Sequence, residues 1–470
     1  MRKTKIVCTL GPASETEEVI RGLCLAGMNV ARMNFSHNTH KDHQRRIDLV
    51  KKVREELGLP IAIMLDTKGP EYRIKTFANG SITLNDGDTF TFTTEDVIGN
   101  EHMVSVSYEK LTEELSVGDT ILLNNGLLCF EVVNIKGCHI ECKVMIGGVL
   151  SDRKSMSFPG KVMKQPYLSE QDKCDIRFGV ENGVDYIACS FVSTSQDLID
   201  VHNYLEELGA NDIELIAKIE NQSGVDHIEE ICKCCDGIMI ARGDMGVEIP
   251  FEQLPTIQKR LITKCRLLGK RVITATEMLE SMITNPRPTR AEISDIANAV
   301  YDGTSAIMLS GETAAGKYPV QAVATMAKIA ETTEANTDYR KLFYNAEFHI
   351  RNMVDAISHS TCGMAIDIGA KAIVACSLSG MTARMVSRFR SPVMIIGLTT
   401  NERTWRKLAL SWGVIPAMCE TFNSTDVLFY TAKKMAAQQL ALERGDRIVI
   451  TGGNTTGCSG NTNLIKIEEI

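Results

Sequence analysis

The chain has 470 residues, of which 44% are hydrophobic, and its formal net charge is −8 with 51 Lys and Arg residues. This length and apolar content predict about three globular domains with large cores, and the lack of a basic arm or stripe argues against nucleic acid as the main partner. Because the sequence has no signal-peptide core, no apolar run long enough to span a membrane, and 15 cysteines without a framework spacing, we expect a soluble cytoplasmic protein with reduced thiols and no membrane partner.

Eight short apolar runs, each closed by polar or small residues, indicate β-strands. They are TKIVCTL, NVARMNFS, IAIMLDT, DYIACSF, ELIAKIE, GIMIARGD, RVITATE and AIMLSGE. Nearly continuous Val, Ile, Ala and Met separated by helical stretches are typical of parallel strands covered by helices. Eight such units predict an α/β fold of the (β/α)8 TIM-barrel type, over residues 1–69 and 164–344.

The segment between the third and fourth strands, residues 70–163, is rich in Thr, Gly, Asn and Asp and alternates at period two. This pattern predicts an inserted all-β domain. Because the insertion leaves the barrel at the end of a strand, we expect it to lie over the C-terminal mouth, where barrel active sites are found. It could act as a lid.

Residues 345–470 return to alternating elements. The helical stretch NMVDAISHSTCGMAIDIG is followed by the strand-like runs KAIVACSLSG, VMIIGLTT and DRIVITGG. Alternating helices and short parallel-type strands predict a separate C-terminal α/β domain.

Charged residues close two of the barrel strands. IELIAKIENQ ends with Lys218 and Glu220, which share a face because strand side chains at i and i+2 point the same way. GIMIARGDMG repeats the spacing with Arg242 and Asp244. Two acids and two bases at strand ends predict a site for a metal and an anion, and the carboxylates are ligands that Mg²⁺ accepts.

Further polar residues follow other strands and should converge on the same mouth. They are Arg32, Asn34, Ser36, Asp66, Thr67 and Thr276. The guanidinium of Arg32 suits a phosphoryl group, which it can bind with two hydrogen bonds. A helix beginning at Gly243 or Asp244 would offer its free N–H groups to a carboxylate. A ligand with a phosphate and a carboxylate, bridged by Mg²⁺ near Lys218, fits these features.

Both charged pairs also have a simpler explanation. Lys218 with Glu220, or Arg242 with Asp244, could be a structural ion pair in a barrel mouth. The combination of the two pairs favours a functional site more than either pair does alone.

The neutral residues have alternatives as well. Asn34 and Ser36 could cap the next helix, and Thr276 could satisfy a strand-end carbonyl. His37 is expected to lie in a loop or contact a phosphate rather than act as a general base, because nothing in the sequence pairs it with an orienting carboxylate.

Several long stretches resemble the pyruvate kinase family, in order along essentially the whole chain. They are MNVARMNFSH, LDTKGPE, KIENQSGV, IMIARGDMGVEIP, ITATEMLESM and NPRPTRAEISDIANAVYDGTSAIMLSGETAAGKYP. Ordered matches of this length are specific, whereas a lone R-G-D or K-I-E would mean little. The resemblance implies transfer of the phosphoryl group of phosphoenolpyruvate to ADP in glycolysis, giving ATP and, after protonation of the enolate, pyruvate.

The resemblance also implies roles for the residues above. The implied catalytic residues are Lys218, Thr276 and Arg32, and the implied substrate-binding residues are Arg32, Lys218, Gly243, Asp244 and Thr276. Glu220 and Asp244 would hold Mg²⁺ or Mn²⁺. Asn34, Ser36, Asp66 and Thr67 match the potassium ligands, and Glu71 accompanies dependence on a monovalent cation. The nucleotide-binding positions are Asn34, Phe35, Ser36, His37, Arg73 and Lys154.

The sequence departs from the family pattern in three places. The lid has Asn124 and Asn125 where Asp-Asp-Gly is usual, which removes two negative charges from a loop near the nucleotide metal while keeping a good hairpin turn. Glu277 replaces a usual glutamine and adds a titratable group beside Thr276. Asn38 stands where glycine is frequent, which is tolerable if the backbone is left-handed there.

The C-terminal domain is expected to be an effector module. Ser377, Ser379, Gly380 and Thr382 follow a strand and precede a helix, as in a phosphate-binding nest, and the late stretch TGGNTTGCSGNTNLIKI could close over the same ligand. By resemblance the ligand would be a sugar phosphate or a nucleotide, and the protein a homotetramer. Alternatively, both loops serve only folding and tetramer contacts.

Two other functions remain open at this point. The chain could be another barrel enzyme that handles phosphoenolpyruvate or pyruvate, such as a mutase or a metal-dependent aldolase, but these lack the inserted lid and the C-terminal module. It could also be a catalytically silent sensor of phosphometabolites, against which the set of Lys218, Glu220, Asp244 and Thr276 argues.

Overall fold

The computed structural model describes residues 1–421, 424–453 and 462–470. The described strands are β1 (Lys5–Thr9), β2 (Val30–Asn34), β3 (Ala62–Asp66), β4 (Tyr72–Arg73), β5 (Ser81–Leu84), β6 (Thr89–Thr93), β7 (Met103–Ser105), β8 (Thr120–Leu123), β9 (Leu128–Lys136), β10 (His139–Ile146), β11 (Gly148–Ser151), β12 (Ser155–Ser157), β13 (Tyr186–Cys189), β14 (Glu214–Ile219), β15 (Gly237–Ala241), β16 (Arg271–Ala275), β17 (Ala306–Leu309), β18 (Ala372–Cys376), β19 (Met394–Thr399), β20 (Val414–Met418), β21 (Arg447–Gly453) and β22 (Thr462–Glu469).

The described α-helices are α1 (Glu17–Ala26), α2 (His40–Leu57), α3 (Leu111–Glu114), α4 (Glu170–Glu181), α5 (Ser195–Glu207), α6 (Gln222–Asp226), α7 (Ile228–Lys233), α8 (Arg242–Glu248), α9 (Leu254–Leu267), α10 (Arg290–Asp302), α11 (Gly311–Ala314), α12 (Pro319–Ala335), α13 (Tyr339–Asn345), α14 (Met353–Asp367), α15 (Met381–Ser387), α16 (Glu402–Leu408) and α17 (Thr425–Leu440). Short 3₁₀ turns cover Pro12–Ser14, Phe251–Gln253 and Glu280–Ile283. No helix within these described ranges combines the length and the apolar character needed to cross a membrane.

Eight parallel strands close into a barrel in the order β1-β17-β16-β15-β14-β13-β3-β2. They are the eight runs predicted from the sequence, so the TIM-barrel prediction is confirmed. Bulky apolar side chains fill the barrel, including Met64, Tyr186, Ile216, Met239 and Ile273, all fully buried. A second apolar layer packs the helices on the outer face of the strands, as expected for a sheet buried on both sides.

Several outer helices begin with the same local device. Thr39, Ser169 and Thr289 each precede a helix and accept a hydrogen bond from the N–H three residues later, while an acidic side chain at that later position bonds back. This reciprocal capping satisfies N–H groups that the helix cannot use. The device fixes where α2, α4 and α10 begin, and hence the length of the loop that precedes each helix.

The predicted all-β insertion is present between β3 and α4. Its strands form a seven-stranded sheet, β4-β12-β8-β9-β10-β6-β7, and a two-stranded pair, β11-β5. Phe90, Phe92 and Phe130 lie fully buried in its own apolar core, with Phe92 and Phe130 edge to face. The insertion leaves the barrel at the end of β3, which puts it at the C-terminal mouth.

The C-terminal α/β domain contains a five-stranded sheet in the order β20-β19-β18-β21-β22. The first four strands are parallel and β22 is antiparallel to β21. Three of these strands were predicted, whereas β20 and β22 were not recognised in the sequence. The residue boundaries given above for the three domains stay a prediction.

A buried ionic cluster joins the base of the barrel to the C-terminal domain. Glu214, the first residue of β14, lies 2.5 Å from Nη1 of Arg271 on β16. Nη1 of Arg384 on α15 lies 3.7 Å from Oε1 of Glu214, and Nζ of Lys407 on α16 lies 3.5 Å from the same oxygen. Burial alone would raise the pKa of Glu214, but the three cations outweigh it and lower the pKa to about 2.

We expect Glu214→Gln to lower the free energy of unfolding by roughly 3 kcal/mol at pH 7, because the buried Arg271 and the partly buried Arg384 and Lys407 lose their common carboxylate. Since the folded-state pKa of Glu214 is depressed, this contribution is present above its ordinary pKa of 4.5 and is lost as the pH falls toward about 2. Urea unfolding of both proteins at pH 7 and pH 3 measures the difference.

The control is Glu402→Gln, which removes a carboxylate that is 71% exposed and pairs with Arg406. It should change the free energy of unfolding by less than about 0.5 kcal/mol. Equal effects of the two substitutions, or a Glu214 effect that does not shrink at pH 3, would contradict the assignment.

Candidate active site

The C-terminal ends of the barrel strands form one rim, because all eight strands run in the same direction. The register of neighbouring strands also aligns their residues at this rim. Asn34 on β2 pairs with Asp66 on β3, and Lys218 on β14 pairs with Met239 on β15. Polar residues that are far apart along the chain are therefore brought together at this mouth, as predicted.

Lys218 lies at the centre of a buried group of four charged residues and one serine, the Lys218 cluster, made of Arg32, Asp66, Ser190, Lys218 and Glu220. The ammonium of Lys218 donates to Ser190 Oγ at 2.6 Å and to Asp66 Oδ1 at 3.1 Å. It also lies 3.0 Å from Glu220 Oε1. All five residues are less than 9% exposed, so these charges interact in a low-dielectric environment.

Asp66 connects Lys218 to Arg32. Nε of Arg32 donates to Asp66 Oδ2 at 2.6 Å, and Nη1 donates to Thr9 Oγ1 at 2.8 Å. Asp66 thus receives a cation on each carboxylate oxygen, and Arg32 keeps its third nitrogen, Nη2, for other contacts. The side chain of Arg32 is fixed at the mouth by residues on β1 and β3.

The cluster shifts the protonation equilibria of its members. Burial opposes ionisation of Asp66, but Arg32 and Lys218 outweigh it and lower its pKa. Burial also opposes the charged form of Lys218, yet Asp66 and Glu220 raise its pKa. Glu220 differs, because burial together with the charge of Asp244 outweighs Lys218 and raises its pKa.

Glu220 and Asp244 fit a divalent cation. Oε2 of Glu220 accepts the N–H of Phe191 at 2.6 Å, whereas the buried Oε1 has no aligned hydrogen bond despite its contact with Lys218. Asp244 is exposed in the first turn of α8. A cation would stabilise two carboxylates that oppose each other's charge, and Mg²⁺ characteristically uses one or two carboxylates with water or ligand oxygens.

The start of α8 lies beside Thr276, which follows β16. The N–H of Gly243 donates to Thr276 Oγ1 at 2.8 Å, and that hydroxyl donates to the carbonyl of Ala275 at 2.6 Å. The helix begins at Arg242, one residue before the predicted start. The three residues predicted around the substrate carboxylate and the proton-delivery face, Gly243, Asp244 and Thr276, are therefore neighbours.

The expectation for Arg242 is wrong. We expected Arg242 to share a face with Asp244 and to add a cation to the site, but its Nη1 lies 2.7 Å from Asp295 on α10. The reason is that β15 ends at Ala241 and α8 begins at Arg242, so the two-residue strand rule does not apply. Two residues along a helix are separated by roughly 200°.

The oxygens predicted for potassium lie at the ends of β2 and β3. Oδ1 of Asn34 accepts the N–H of Ser36 at 3.2 Å. The carbonyl and the hydroxyl of Thr67 accept the hydroxyl and the N–H of Ser190, at 2.7 and 3.2 Å. All four side chains, including Asp66, carry neutral or anionic oxygens, and this chemistry suits a hard monovalent cation.

The residues predicted for nucleotide binding divide between the barrel and the base of the all-β insertion. Arg73 forms an ion pair with Glu71 and donates a hydrogen bond to the carbonyl of Arg153 at 2.7 Å. In the antiparallel pair of β4 and β12, Arg73 is the partner of Ser155, which follows Lys154. On the barrel side, His37 is exposed and its carbonyl is held by His43 Nε2 at 2.9 Å.

The ring of Phe35 does not face the mouth. It is 9% exposed and stacks on His43 with ring centres 4.2 Å apart. A nucleotide at this position would therefore meet the exposed side chains of Ser36 and His37 rather than this ring.

The three departures from the family pattern all lie in left-handed backbone. Asn124 and Asn125 form the turn between β8 and β9 with φ of 54° and 57°, which asparagine tolerates better than most residues. Asn38 has φ of 69°, as its replacement of glycine requires. Glu277 is exposed with φ of 55°.

The candidate effector loop joins β18 to α15. Gly380 caps α15 with φ of 79°, and Ser377 donates its N–H to the carbonyl of Leu398 at 2.9 Å. Thr382 is buried and shares a 2.8 Å hydrogen bond with Thr462 of β22, so its hydroxyl already has a partner. Ser379 lies in the same loop. Within the late stretch predicted to close over this loop, residues 454–461 lie outside the described residues.

Sequence reasoning missed three members of the site. Ser190 contacts Lys218 and Asp66, Phe191 donates its N–H to Glu220, and Thr9 holds Arg32. Each stands at or just after the C-terminal end of a predicted barrel strand. That position was the available signal. Because these residues carry no charge, the pattern of charged residues at the strand ends did not indicate them.

Two family models match the chain. "Pyruvate kinase, barrel domain" matches residues 1–323, and "Pyruvate kinase, alpha/beta domain" matches residues 355–468. The chain is 46% identical to a pyruvate kinase of Clostridium perfringens, with 100% of both chains covered. It is 48% identical to one of Staphylococcus aureus strain MRSA252, covering 100% of this chain and 80% of that relative. The solved structure of a Cryptosporidium parvum pyruvate kinase superposes with a TM-score of 0.94 at 36% identity, covering 100% of this chain and 96% of that one. The chain therefore belongs to the pyruvate kinase family of phosphotransferases.

Proposed function

We propose that the chain transfers the phosphoryl group of phosphoenolpyruvate to ADP, giving pyruvate and ATP in glycolysis. The observation that carries the proposal is the Lys218 ammonium, buried 3.0 Å from Glu220 and 3.1 Å from Asp66 at the mouth of a pyruvate kinase-type barrel. Phosphoryl transfer needs little covalent chemistry from a protein and depends mainly on positioned charge. The Lys218 cluster supplies such charge.

Arg32 and α8 would bind the two ends of phosphoenolpyruvate. Because Asp66 and Thr9 occupy Nε and Nη1 of Arg32, Nη2 would donate to the phosphate. The backbone N–H groups of Gly243 and Asp244, in the first turn of α8, would donate to the carboxylate. The substrate would then lie with its phosphate toward β2 and its carboxylate toward β15.

Lys218 would stabilise the charge that moves during the reaction. Its raised pKa keeps it cationic, so it can neutralise negative charge on the phosphoryl group and then on the enolate oxygen. Thr276 would lie on the face where the methyl carbon receives its proton, with its hydroxyl and a water acting as the relay.

Glu220 and Asp244 would hold Mg²⁺ or Mn²⁺, and Asn34, Ser36, Asp66 and Thr67 would hold K⁺. When bound, these cations would supply further neutralisation of the phosphoryl oxygens. Glu71 would support the dependence on K⁺ through its position between Lys68 and Arg73, with which it forms ion pairs.

The lid would close the nucleotide site and exclude water. Arg73 and Lys154, at the base of the lid, would contact ADP together with Asn34, Ser36, His37 and the backbone of Phe35. Exclusion of water favours ADP over hydrolysis. Asn124 and Asn125 remove two charges near the nucleotide metal, so we expect weaker affinity for that metal than an Asp-Asp turn would give.

The C-terminal domain would regulate the enzyme through the loop of Ser377, Ser379, Gly380 and Thr382, with a sugar phosphate or a nucleotide as effector. This proposal is supported by α15, which begins at that loop and carries Arg384 to within 3.0 Å of Asp236, the residue before β15. β15 leads directly to Gly243 and Asp244. We further propose a cytoplasmic homotetramer, on the family resemblance.

The direct test is an assay that couples pyruvate formation to NADH oxidation, with phosphoenolpyruvate, ADP, Mg²⁺ and K⁺. ADP-dependent pyruvate formation supports the proposal, and its absence under these conditions would refute it. Repeating the assay with fructose 1,6-bisphosphate, glucose 6-phosphate and AMP tests the effector site. At least one of them should change the dependence of the rate on phosphoenolpyruvate.

Lys218→Met should reduce the turnover number by at least about 1,000-fold, because the charge that stabilises the transition state is lost. Circular dichroism should show a folded protein, since methionine keeps much of the buried stem. The control Lys173→Met, which removes a surface pair with Glu170 on α4, should leave turnover unchanged. Normal turnover of Lys218→Met would remove Lys218 from the mechanism.

Potassium should activate the enzyme. In a buffer with tetramethylammonium as the only monovalent cation, we expect turnover to fall at least about 10-fold, because the oxygens of Asn34, Ser36, Asp66 and Thr67 would lack their cation. Adding KCl at constant ionic strength should restore the rate. Full activity without potassium and sodium would contradict the roles given to Asp66 and Glu71.

A further inference from the structure

The backbone on which Thr276 stands has an unfavourable conformation. Thr276 and Glu277 are consecutive left-handed residues with φ of 69° and 55°. Neither is a glycine or an asparagine, and a β-branched threonine is especially disfavoured there. Such a residue persists only when its surroundings hold it in place. The contacts of this segment therefore show what maintains its shape.

The guanidinium of Arg242 holds this segment by hydrogen bonds to its backbone carbonyls. Its Nη2 donates to the carbonyl of Thr276 at 2.6 Å and lies 2.9 Å from the sulfur of Met278. Its Nε donates to the carbonyl of Ala275 at 3.3 Å. One planar guanidinium thus binds the carbonyls on both sides of the turn into the left-handed conformation, a task that suits its rigid arrangement of donors.

The other side of the guanidinium is fixed to the outer helices. Nη1 of Arg242 lies 2.7 Å from Oδ2 and 2.8 Å from Oδ1 of Asp295 on α10. It also lies 3.4 Å from the side-chain oxygen of Gln258 on α9. The charge of Arg242 is balanced by Asp295, so this arginine is not presented to an anionic ligand at the mouth.

The backbone next to Arg242 completes the arrangement. The N–H of Gly243 donates to Thr276 Oγ1 at 2.8 Å. The side chain of Arg242 therefore fixes the Thr276 carbonyl while the adjacent peptide fixes the Thr276 hydroxyl. Helix α8 and the end of β16 are locked together at two points that are one residue apart on α8.

We propose that Arg242 is a positioning residue that clamps the backbone of Ala275 and Thr276, and so places the Thr276 hydroxyl where the methyl proton of pyruvate is exchanged. The proposal rests on the function proposed above and adds a residue to it. Arg242 does not touch the substrate; it acts through Thr276, and Asp295 acts through Arg242.

The test measures exchange of the methyl hydrogens of pyruvate with solvent deuterium by NMR, in the presence of Mg²⁺, K⁺ and ATP. This exchange breaks a C–H bond and forms a C–D bond by the same proton relay that protonates the enolate. Arg242→Lys keeps the charge but loses the planar fork. We expect it to slow exchange at least about 10-fold, because small misplacements of a catalytic group are costly, while KM for phosphoenolpyruvate changes less than about 3-fold.

A double-mutant cycle separates positioning from a general structural effect. Thr276→Val removes the hydroxyl and keeps the β-branched shape. If Arg242 acts through that hydroxyl, the Arg242→Lys/Thr276→Val double variant exchanges within about 2-fold of Thr276→Val alone. If the two losses multiply, the proposal is overturned. Arg260→Lys, an exposed position on α9, serves as control and should not alter exchange.

Two further outcomes are distinguishable. If Arg242→Lys does not fold by circular dichroism, Asp295→Asn is measured instead; it leaves Arg242 in place without its outer partner, and the same non-additivity with Thr276→Val is expected. If the wild-type protein forms no pyruvate from phosphoenolpyruvate and ADP, the proposed function fails. An active wild type with multiplying losses refutes only the clamp.

Discussion

The whole mouth of the barrel depends on the balance of one buried ammonium against two buried carboxylates. Lys218 lies on β14, Asp66 ends β3, and Glu220 directly follows β14. The ammonium of Lys218 forms an ion pair with each of the two carboxylates. Removing one partner of a buried pair typically leaves an uncompensated charge that costs several kcal/mol. The strands must therefore keep their register for the site to exist, and the site in turn constrains the register.

Other groups predicted for the site lie outside the Lys218 cluster. The first turn of α8 offers backbone donors, Thr276 offers a hydroxyl on strained backbone, and the all-β insertion carries Arg73 and Lys154 at its base. Arg32, Asp66 and Lys218 stand on strands β2, β3 and β14, whereas the donors of α8 and the Thr276 hydroxyl come just after the ends of β15 and β16.

The sequence predicted the features whose physical rule was local. Lys218 and Glu220 share a face because β14 runs to Ile219, so the two-residue rule applies. The same rule failed for Arg242 because the strand had already ended. β20 was not recognised because it contains Pro416, and proline argues against a strand. The proline is tolerated here because β20 is an edge strand of its sheet. The left-handed Thr276 and Glu277 could not be foreseen, since neither residue favours that conformation and the contacts that hold the segment come from Arg242 and Gly243, which are distant along the chain.

The most direct test of the balanced charge cluster as a cation and phosphoryl site is Mn²⁺ binding, followed by electron paramagnetic resonance with phosphoenolpyruvate present. We expect one Mn²⁺ per chain in the wild-type protein, and at least about a 10-fold higher dissociation constant in Glu220→Gln, which keeps the shape but removes the charge. Identical titrations of the two proteins would contradict the account.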